Sequence, residues 1–533
     1  MKVKKVGSFV NKPRTFIIGL DGSTFNIIHP LVRAGCLPHL SKLMAQGAYG
    51  SLEAWPNMSS ASSWSSIVTG YNPGQHGIYN FNDAPIQKGP KWHSMNASER
   101  KKDPFWRFLS AAGQSVGVIN VPISYPADRI HGFMLAGMDS PSIHSHGFAH
   151  PPDLLDELRR QGIDYVIDVP TPSVISHLET HQCPVHVQRM VDAQARTILH
   201  LMKTRPWDVL MAVFTAPEKV QHFFYPDHHG SVDNSDWIPI RQLYEQIDSF
   251  LGEALGLINE NTTILIISDH GFGPAYFPPS CLNPLLSQLG FLSYRHDPIN
   301  LKGRFLKKLL FYGRRLVPLR LQKPLAMAFP KLYQRALRER LYSNVEWSKS
   351  RVFAPPYGKN IYINLQGRQP KGIVSPEDYD SLCEQVRQIL LNLTDPATGK
   401  PLVREVYRYE DLYHGPYRDG DGDLFIKWDY DLRHDSVCYM SEGRPIIFHN
   451  PKPKGVRKWL TGSHRPDGIF IAYGEGIKRK VDAPGAHIYD IFPTICYLQN
   501  LPIPSDMDGR VLTNIFTEER LQQHPVRQLE PKK

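Results

Sequence analysis

Six residues of this 533-residue chain stand where a strand would end or begin, and their types suit the binding of cations. Asp21 directly follows the apolar run TFIIGL. Glu218 and His222 follow DVLMAVF and lie four residues apart, on one face of a helical turn. The run TILIIS leads into Asp269-His270-Gly271, where the glycine is expected to permit a tight turn that presents both side chains. His464 sits in GSHRPDG, just ahead of GIFIAY. Singly, each has an ordinary reading: an Asp after a strand often caps a helix, and the chain has 23 histidines. Together they supply three carboxylates and three imidazoles, a donor set suited to a pair of divalent cations.

A nucleophile is sought in PNMSSASSWSSIVTG, residues 56–70, which holds six serines. Ala61, Trp64, Ile67 and Val68 are spaced as the apolar face of a short helix ending near Thr69-Gly70. Ser60 precedes that pattern and is expected at the N-cap. A hydroxyl there would have backbone N–H groups and the positive helix end beside it, where an oxyanion or phosphate is stabilised. The competing reading is that Ser59, Ser60 or Ser62 only caps the helix.

The elements that must position these groups are legible as short apolar runs. Residues 15–20, 115–120, 208–214, 263–268 and 468–473 are nearly continuous in apolar side chains, as in strands buried on both faces. Helical patterns such as PHLSKLMAQG, DPFWRFLSAAG and PDLLDELRRQG alternate with them. That alternation predicts an α/β fold, a mostly parallel sheet with helices on both faces, in which ligands collect at the carboxyl ends of the strands. Between about 275 and 435 the rhythm is lost and Pro, Tyr, Arg and Lys become more frequent. The expected organisation is a core over 1–275, an inserted cap over 276–435, a second part of the core over 436–516 and a flexible tail over 517–533.

Several pieces resemble, in order, the alkaline phosphatase superfamily in its type I phosphodiesterase/nucleotide pyrophosphatase branch. They are FIIGLDGSTF, SSASSWSSIVTGYNPGQHGIYNF, EKVQHFF, IISDHGFGP, GSHRPDGIFIAYGEGI and YDIFPTICYLQNLPIPSDMDGRVL. In that family the nucleophilic Ser or Thr precedes the Gly of a Thr-Gly pair by ten residues, which from Gly70 implies Ser60. The resemblance implies that Asp21, Ser60, Asp269 and His270 hold one metal and that Glu218, His222 and His464 hold the other. Zn²⁺ is the first expectation and Mn²⁺ the alternative. Two departures stand out: Glu218 occupies a position that is usually Asp, and the Asn that holds a phosphoryl oxygen corresponds to either Asn80 or Asn82. The implied activity is metal-dependent hydrolysis of phosphodiester or nucleotide pyrophosphate bonds, with a phosphorylated small molecule as substrate. A phosphomonoesterase or a phosphoryl-transferring mutase would use the same core. A reading of another class is a non-catalytic binding protein on a degenerate phosphatase fold, which Glu218 alone favours.

Composition narrows the remaining classes. Hydrophobic residues at 41% and aromatic residues at 11% indicate a packed core rather than disorder. No apolar run approaches the ~20 residues of a membrane helix, and the start MKVKKVGSFVNKPR does not read as a signal peptide. The six cysteines are scattered without a C-x-x-C pair and read as reduced, buried thiols of a cytoplasmic protein. Of the net charge of +10, residues 301–340 carry twelve Lys/Arg against the single acid Glu339. That segment interleaves apolar residues with charge and would meet an anionic membrane surface or form a solvated basic face. No specific nucleic-acid partner is expected. RDGDGDLFI (418–426) lacks the Gly and Glu of an EF-hand and reads as a turn before a strand. The histidines of HSHGFAH (144–150) read as a surface loop, and no Walker A or dinucleotide glycine motif occurs.

Overall fold

The computed structural model describes residues 12–81, 95–169, 183–226, 231–275, 281–295, 344–355, 360–417, 422–432, 435–450, 460–483 and 485–529. Two compact units emerge: Met1–Asn72, Asn96–Pro274 and Leu460–Lys533 form the first, Pro73–Met95 and Ala275–Trp459 the second. The basic segment 301–340 and Asn82 lie outside the described residues.

The first unit is built on strands β1 (Arg14–Leu20), β2 (Ala48–Glu53), β3 (Val116–Ile119), β4 (Gly132–Leu135), β5 (Ala149–His150), β6 (Val209–Phe214), β7 (Thr262–Ile267) and β8 (Gly271–Pro274), followed by β15 (Gly462–Arg465), β16 (Asp467–Tyr473), β17 (Val481–Asp482) and β18 (Ala486–His487). The central sheet runs β17-β2-β16-β7-β1-β6-β3-β4-β5, with β18 also on β2. Strands β7, β1, β6, β3 and β4 are mutually parallel. Their apolar runs are buried on both faces, as their sequences predict. The fold is therefore α/β with a mostly parallel sheet. GIFIAY is the exception in direction, because β16 runs antiparallel to both β7 and β2.

Alternation along β1 divides the core. Phe16, Ile18 and Leu20 join one cluster with side chains of the helices Phe25–Arg33, Pro38–Gln46 and Ile238–Leu255. Gly19 points the other way, toward the indole of Trp64 on the helix Ser60–Thr69. Polar groups between helices are matched rather than left over. Asp248, on the helix Ile238–Leu255, accepts from the His39 and Leu40 N–H groups in the first turn of Pro38–Gln46, which a helix leaves unsatisfied by itself.

The second unit has its own sheet and core. Strands β9 (Val352–Phe353), β10 (Asn360–Ile363), β11 (Val403–Arg408) and β12 (Leu424–Trp428) form an antiparallel sheet in the order β11-β12-β10-β9. The helix Pro376–Leu391 packs on β11 and β12, and its Val386 and Leu390 share one buried core with Leu424, Ile426 and Trp428. β13 (Ser436–Ser441) and β14 (Arg444–His449) pair as a separate hairpin. Asp423, from the RDGDGD stretch, is buried just before β12 and takes both Arg368 guanidinium nitrogens, at 2.6 and 2.7 Å.

Candidate active site

The strand ends converge as the apolar runs imply. Asp21 leaves β1, Asp269 and His270 leave β7, and Glu218 and His222 sit on the helix Ala216–Phe224 that follows β6. His464 arrives differently: it lies within β15, whose antiparallel pairing with β8 sets it opposite Phe272. Two donor clusters result, Asp21 with Asp269 and His270, and Glu218 with His222 and His464. The first is fully buried and the second partly exposed. The His270 and His464 rings stack at 3.9 Å between centroids and so connect the two.

Backbone carbonyls set the state of all three imidazoles. His270 Nδ1 faces the Gly271 carbonyl at 3.0 Å, His222 Nδ1 the Gly462 carbonyl at 3.2 Å, and His464 Nδ1 the Met58 carbonyl at 2.8 Å. A carbonyl only accepts, so each Nδ1 carries a proton and each ring turns its Nε2 into the cluster. His464 Nε2 then lies 3.2 Å from His222 Nε2 and 3.1 Å from Glu218 Oε1. In the first cluster, His270 Nε2 is 3.4 Å from Asp269 Oδ2, a buried oxygen that accepts no hydrogen bond. Carboxylate oxygens and imidazole Nε2 atoms thus gather within 4.8 Å of one another in each cluster. The donor set fits divalent metal ions, with Nδ1 held by a carbonyl and Nε2 directed inward, the arrangement that metal-ligating histidines use.

The charges respond accordingly. Burial, then the Asp269 and Glu218 charges, pushes the Asp21 carboxyl well above the usual range. Burial and Glu218 push Asp269 up to about 7. Burial would raise Glu218 too, but the His222 and His464 rings outweigh it and hold Glu218 well below the ordinary value. Burial and the neighbouring His270 lower His464 to about 4, so its ring is neutral.

Ser60 stands at the first cluster, its Oγ 3.2 Å from His270 Nε2 and 3.4 Å from Asp21 Oδ1. Its helical position differs from expectation: the N-cap residue is Ser59, and Ser60 is the first residue of the helix Ser60–Thr69. The reading of a mere cap is not met at Ser59, whose side chain makes no cap bond. Nor is the helix amphipathic, since every residue of it is buried. Three of its hydroxyls bond locally, which lowers the cost of burying them: Ser65 Oγ to the Ala61 carbonyl, Thr69 Oγ1 to the Ser65 carbonyl, Ser63 Oγ to the Asn57 carbonyl.

Gly271 also acts otherwise than expected. Its backbone angle is not in the left-handed region, and the tight turn belongs to Gly22, at φ 67. Gly271 is needed for close approach, because a Cβ there would lie 1.9 Å from the Asp467 carbonyl oxygen. Three contributors escaped the motif reading. Trp64 Nε1 donates to Asp21 Oδ2 at 3.2 Å, the Gly22 N–H donates to Asp269 Oδ1 at 3.1 Å, and Gln221 Nε2 donates to the Gly22 carbonyl at 2.8 Å. The only signal available beforehand was proximity in sequence: Trp64 one turn after Ser60, Gly22 after Asp21, Gln221 before His222. Asn80 belongs to the second unit, where its Oδ1 accepts from the Phe81 N–H. The HSHGFAH histidines join neither cluster; His150 Nε2 bonds the Ile130 carbonyl.

Sheet order and strand-end donors together define an α/β core with a candidate metal site where its parallel strands end. The family follows from most of the chain: the model of the type I phosphodiesterase / nucleotide pyrophosphatase family matches residues 15–464. The chain belongs to that family and is a hydrolase of phosphoric ester bonds. Among solved structures, phosphonoacetate hydrolase from Sinorhizobium meliloti 1021, in complexes with phosphonoformate and with phosphonoacetate, is similar in fold. Identity is 16% at TM-scores of 0.51 and 0.52, over 90% of this chain and 94% of that one. Murine ectonucleotide pyrophosphatase / phosphodiesterase 5 aligns at 12% identity and a TM-score of 0.49, over 96% of this chain and 99% of that one. No curated protein matches.

Proposed function

We propose that this chain is a two-metal phosphodiesterase or nucleotide pyrophosphatase with Ser60 as nucleophile. In this reading Asp21, Ser60, Asp269 and His270 hold one ion, Zn²⁺ or Mn²⁺, and Glu218, His222 and His464 hold the other. The observation that carries it is the place of Ser60 Oγ, in contact with both Asp21 and His270 at the buried cluster. The bound ions would lower the pKa of that hydroxyl and offset the charge that develops on the phosphoryl oxygens.

The residues themselves supply the rest. Trp64 holds one oxygen of Asp21, leaving the other toward Ser60. Ser60 Oγ attacks phosphorus, its proton passes to the departing ester oxygen, and a serine–phosphate ester is formed. Water then attacks the same phosphorus, the Oγ–P bond breaks, and one proton of that water passes to Ser60 Oγ. By the family resemblance, Asn80 or Asn82 would hold a phosphoryl oxygen. Phosphonoacetate hydrolase, crystallised with two phosphonates, is consistent with a small phosphorylated or phosphonylated substrate.

The test compares wild type with Ser60→Ala on bis(p-nitrophenyl) phosphate and p-nitrophenyl phosphate, with Zn²⁺ or Mn²⁺ added. Loss of about 10³-fold or more in turnover is expected, with the diester preferred in the wild type. Full metal-dependent activity in the variant would overturn the serine mechanism. A preference for the monoester would move the assignment to a phosphomonoesterase or mutase.

A further inference from the structure

The two donor clusters meet at one residue, Gly22, through the peptide groups on either side of its Cα. The Gly22 N–H is spent on Asp269 Oδ1 at 3.1 Å, and the Gly22 carbonyl accepts from Gln221 Nε2 at 2.8 Å. Gly22 follows Asp21 of the buried cluster, while Gln221 lies between Glu218 and His222 of the other. Each participant is enclosed: Gln221, Asp21 and Asp269 are all 0% exposed. The turn also packs directly on the helix, because a Cβ on Gly22 would meet the Phe272 ring at 3.0 Å and Glu218 Cα at 3.4 Å.

This arrangement has consequences for both clusters. Holding Asp269 Oδ1 on the peptide leaves Oδ2 as the oxygen directed toward His270, at 3.4 Å. Holding the Gly22 carbonyl on Gln221 ties the helix Ala216–Phe224 to the end of β1. The helix carries two donors of one cluster, and the strand end carries one donor of the other.

We propose that Gln221 is a positioning residue: its amide, through the backbone of Gly22, locks the helix of Glu218 and His222 to the turn of Asp21 and to Asp269. The separation of the two clusters is thereby set in the protein before any ion binds. Removing the amide leaves a buried carbonyl without its donor and frees the turn to rotate, which loosens Asp269 as well as the helix. The proposal rests on the two-metal reading given above.

The experiment titrates metal-free wild type, Gln221→Met and Gln221→Leu with Zn²⁺ alone by calorimetry, and counts bound ions by mass spectrometry. Both substitutions keep a buried apolar stem without a donor. Wild type is expected to bind two ions, and the variants to bind them ten-fold or more weakly, with kcat reduced more than KM is changed. Variants that bind two ions with wild-type affinity would overturn the positioning role and leave the two-metal reading standing. A wild type that binds no ion would overturn that reading itself. Should neither variant fold, hydrogen exchange on the metal-free wild type decides: the Gly22 amide is expected to exchange slowly already without Zn²⁺, and fast exchange there that Zn²⁺ slows ten-fold or more overturns the proposal.

Discussion

Ser60 and Trp64 show how a residue's role depends on a neighbour brought from far along the chain. Trp64 has the spacing of a core residue and is one, since its ring lies against Gly19 of β1. The same indole donates to Asp21 Oδ2 at 3.2 Å, a hydrogen bond to a charged acceptor that fixes which oxygen faces Ser60. Trp64→Phe keeps the packing and removes only the donor. Steady-state assays on the diester are expected to show kcat about 10-fold lower, the scale of outer-shell substitutions, with the far-ultraviolet circular dichroism unchanged. Wild-type turnover in that variant would mean that Asp21 is held by the cluster alone.

Between elements, the decisive contact is the two-stranded ribbon of β8 and β15. It sets His464 opposite Phe272 and hence beside His270, joining residues that are almost two hundred positions apart. The ribbon's entry depends on Gly271, where a Cβ would sit 1.9 Å from a backbone oxygen of Asp467. A backbone atom cannot swing aside as a side-chain end can. Gly271→Ala is therefore expected to cost about 3 kcal/mol or more in urea unfolding and to lower metal content along with stability. A stable variant with full metal content would show that the ribbon can shift without disturbing His270.

For the molecule as a whole, the buried cluster sets a condition on stability. Asp21 and Asp269 lie side by side without exposure, and burial, with the Glu218 charge, raises both carboxyls. An ion that binds only the folded chain stabilises it by mass action, about 2.7 kcal/mol at a hundred times its Kd. Chelation with EDTA is thus expected to lower the thermal midpoint by several degrees, and added Zn²⁺ or Mn²⁺ to restore it. An unchanged midpoint would count against tight metal binding. No described helix is long and apolar enough to cross a membrane. Five described cysteines are free thiols, of which Cys36 is partly exposed and Cys281, Cys383, Cys438 and Cys496 are buried.

The donors themselves were legible in the sequence. Strands buried on both faces must be written as apolar runs, so Asp21, Asp269 and the Glu218/His222 pair could be placed at strand ends by pattern alone. The sheet's parallel centre followed from the same runs. The reversed direction of β16 did not, because an apolar run carries no sign of direction. The serine helix was misread as one-sided, since serines that bond their own helix carbonyls can be buried on every side without an apolar stripe. The sequence by itself determined the chemistry available at the sheet edge: three carboxylates, three imidazoles and a serine. Only the tertiary structure decided how they are held, through the Trp64–Asp21, Gln221–Gly22 and Gly22–Asp269 bonds. The last two join residues 199 and 247 positions apart. Hydrogen bonds of that kind depend on packing geometry, for which local sequence has no period and no motif.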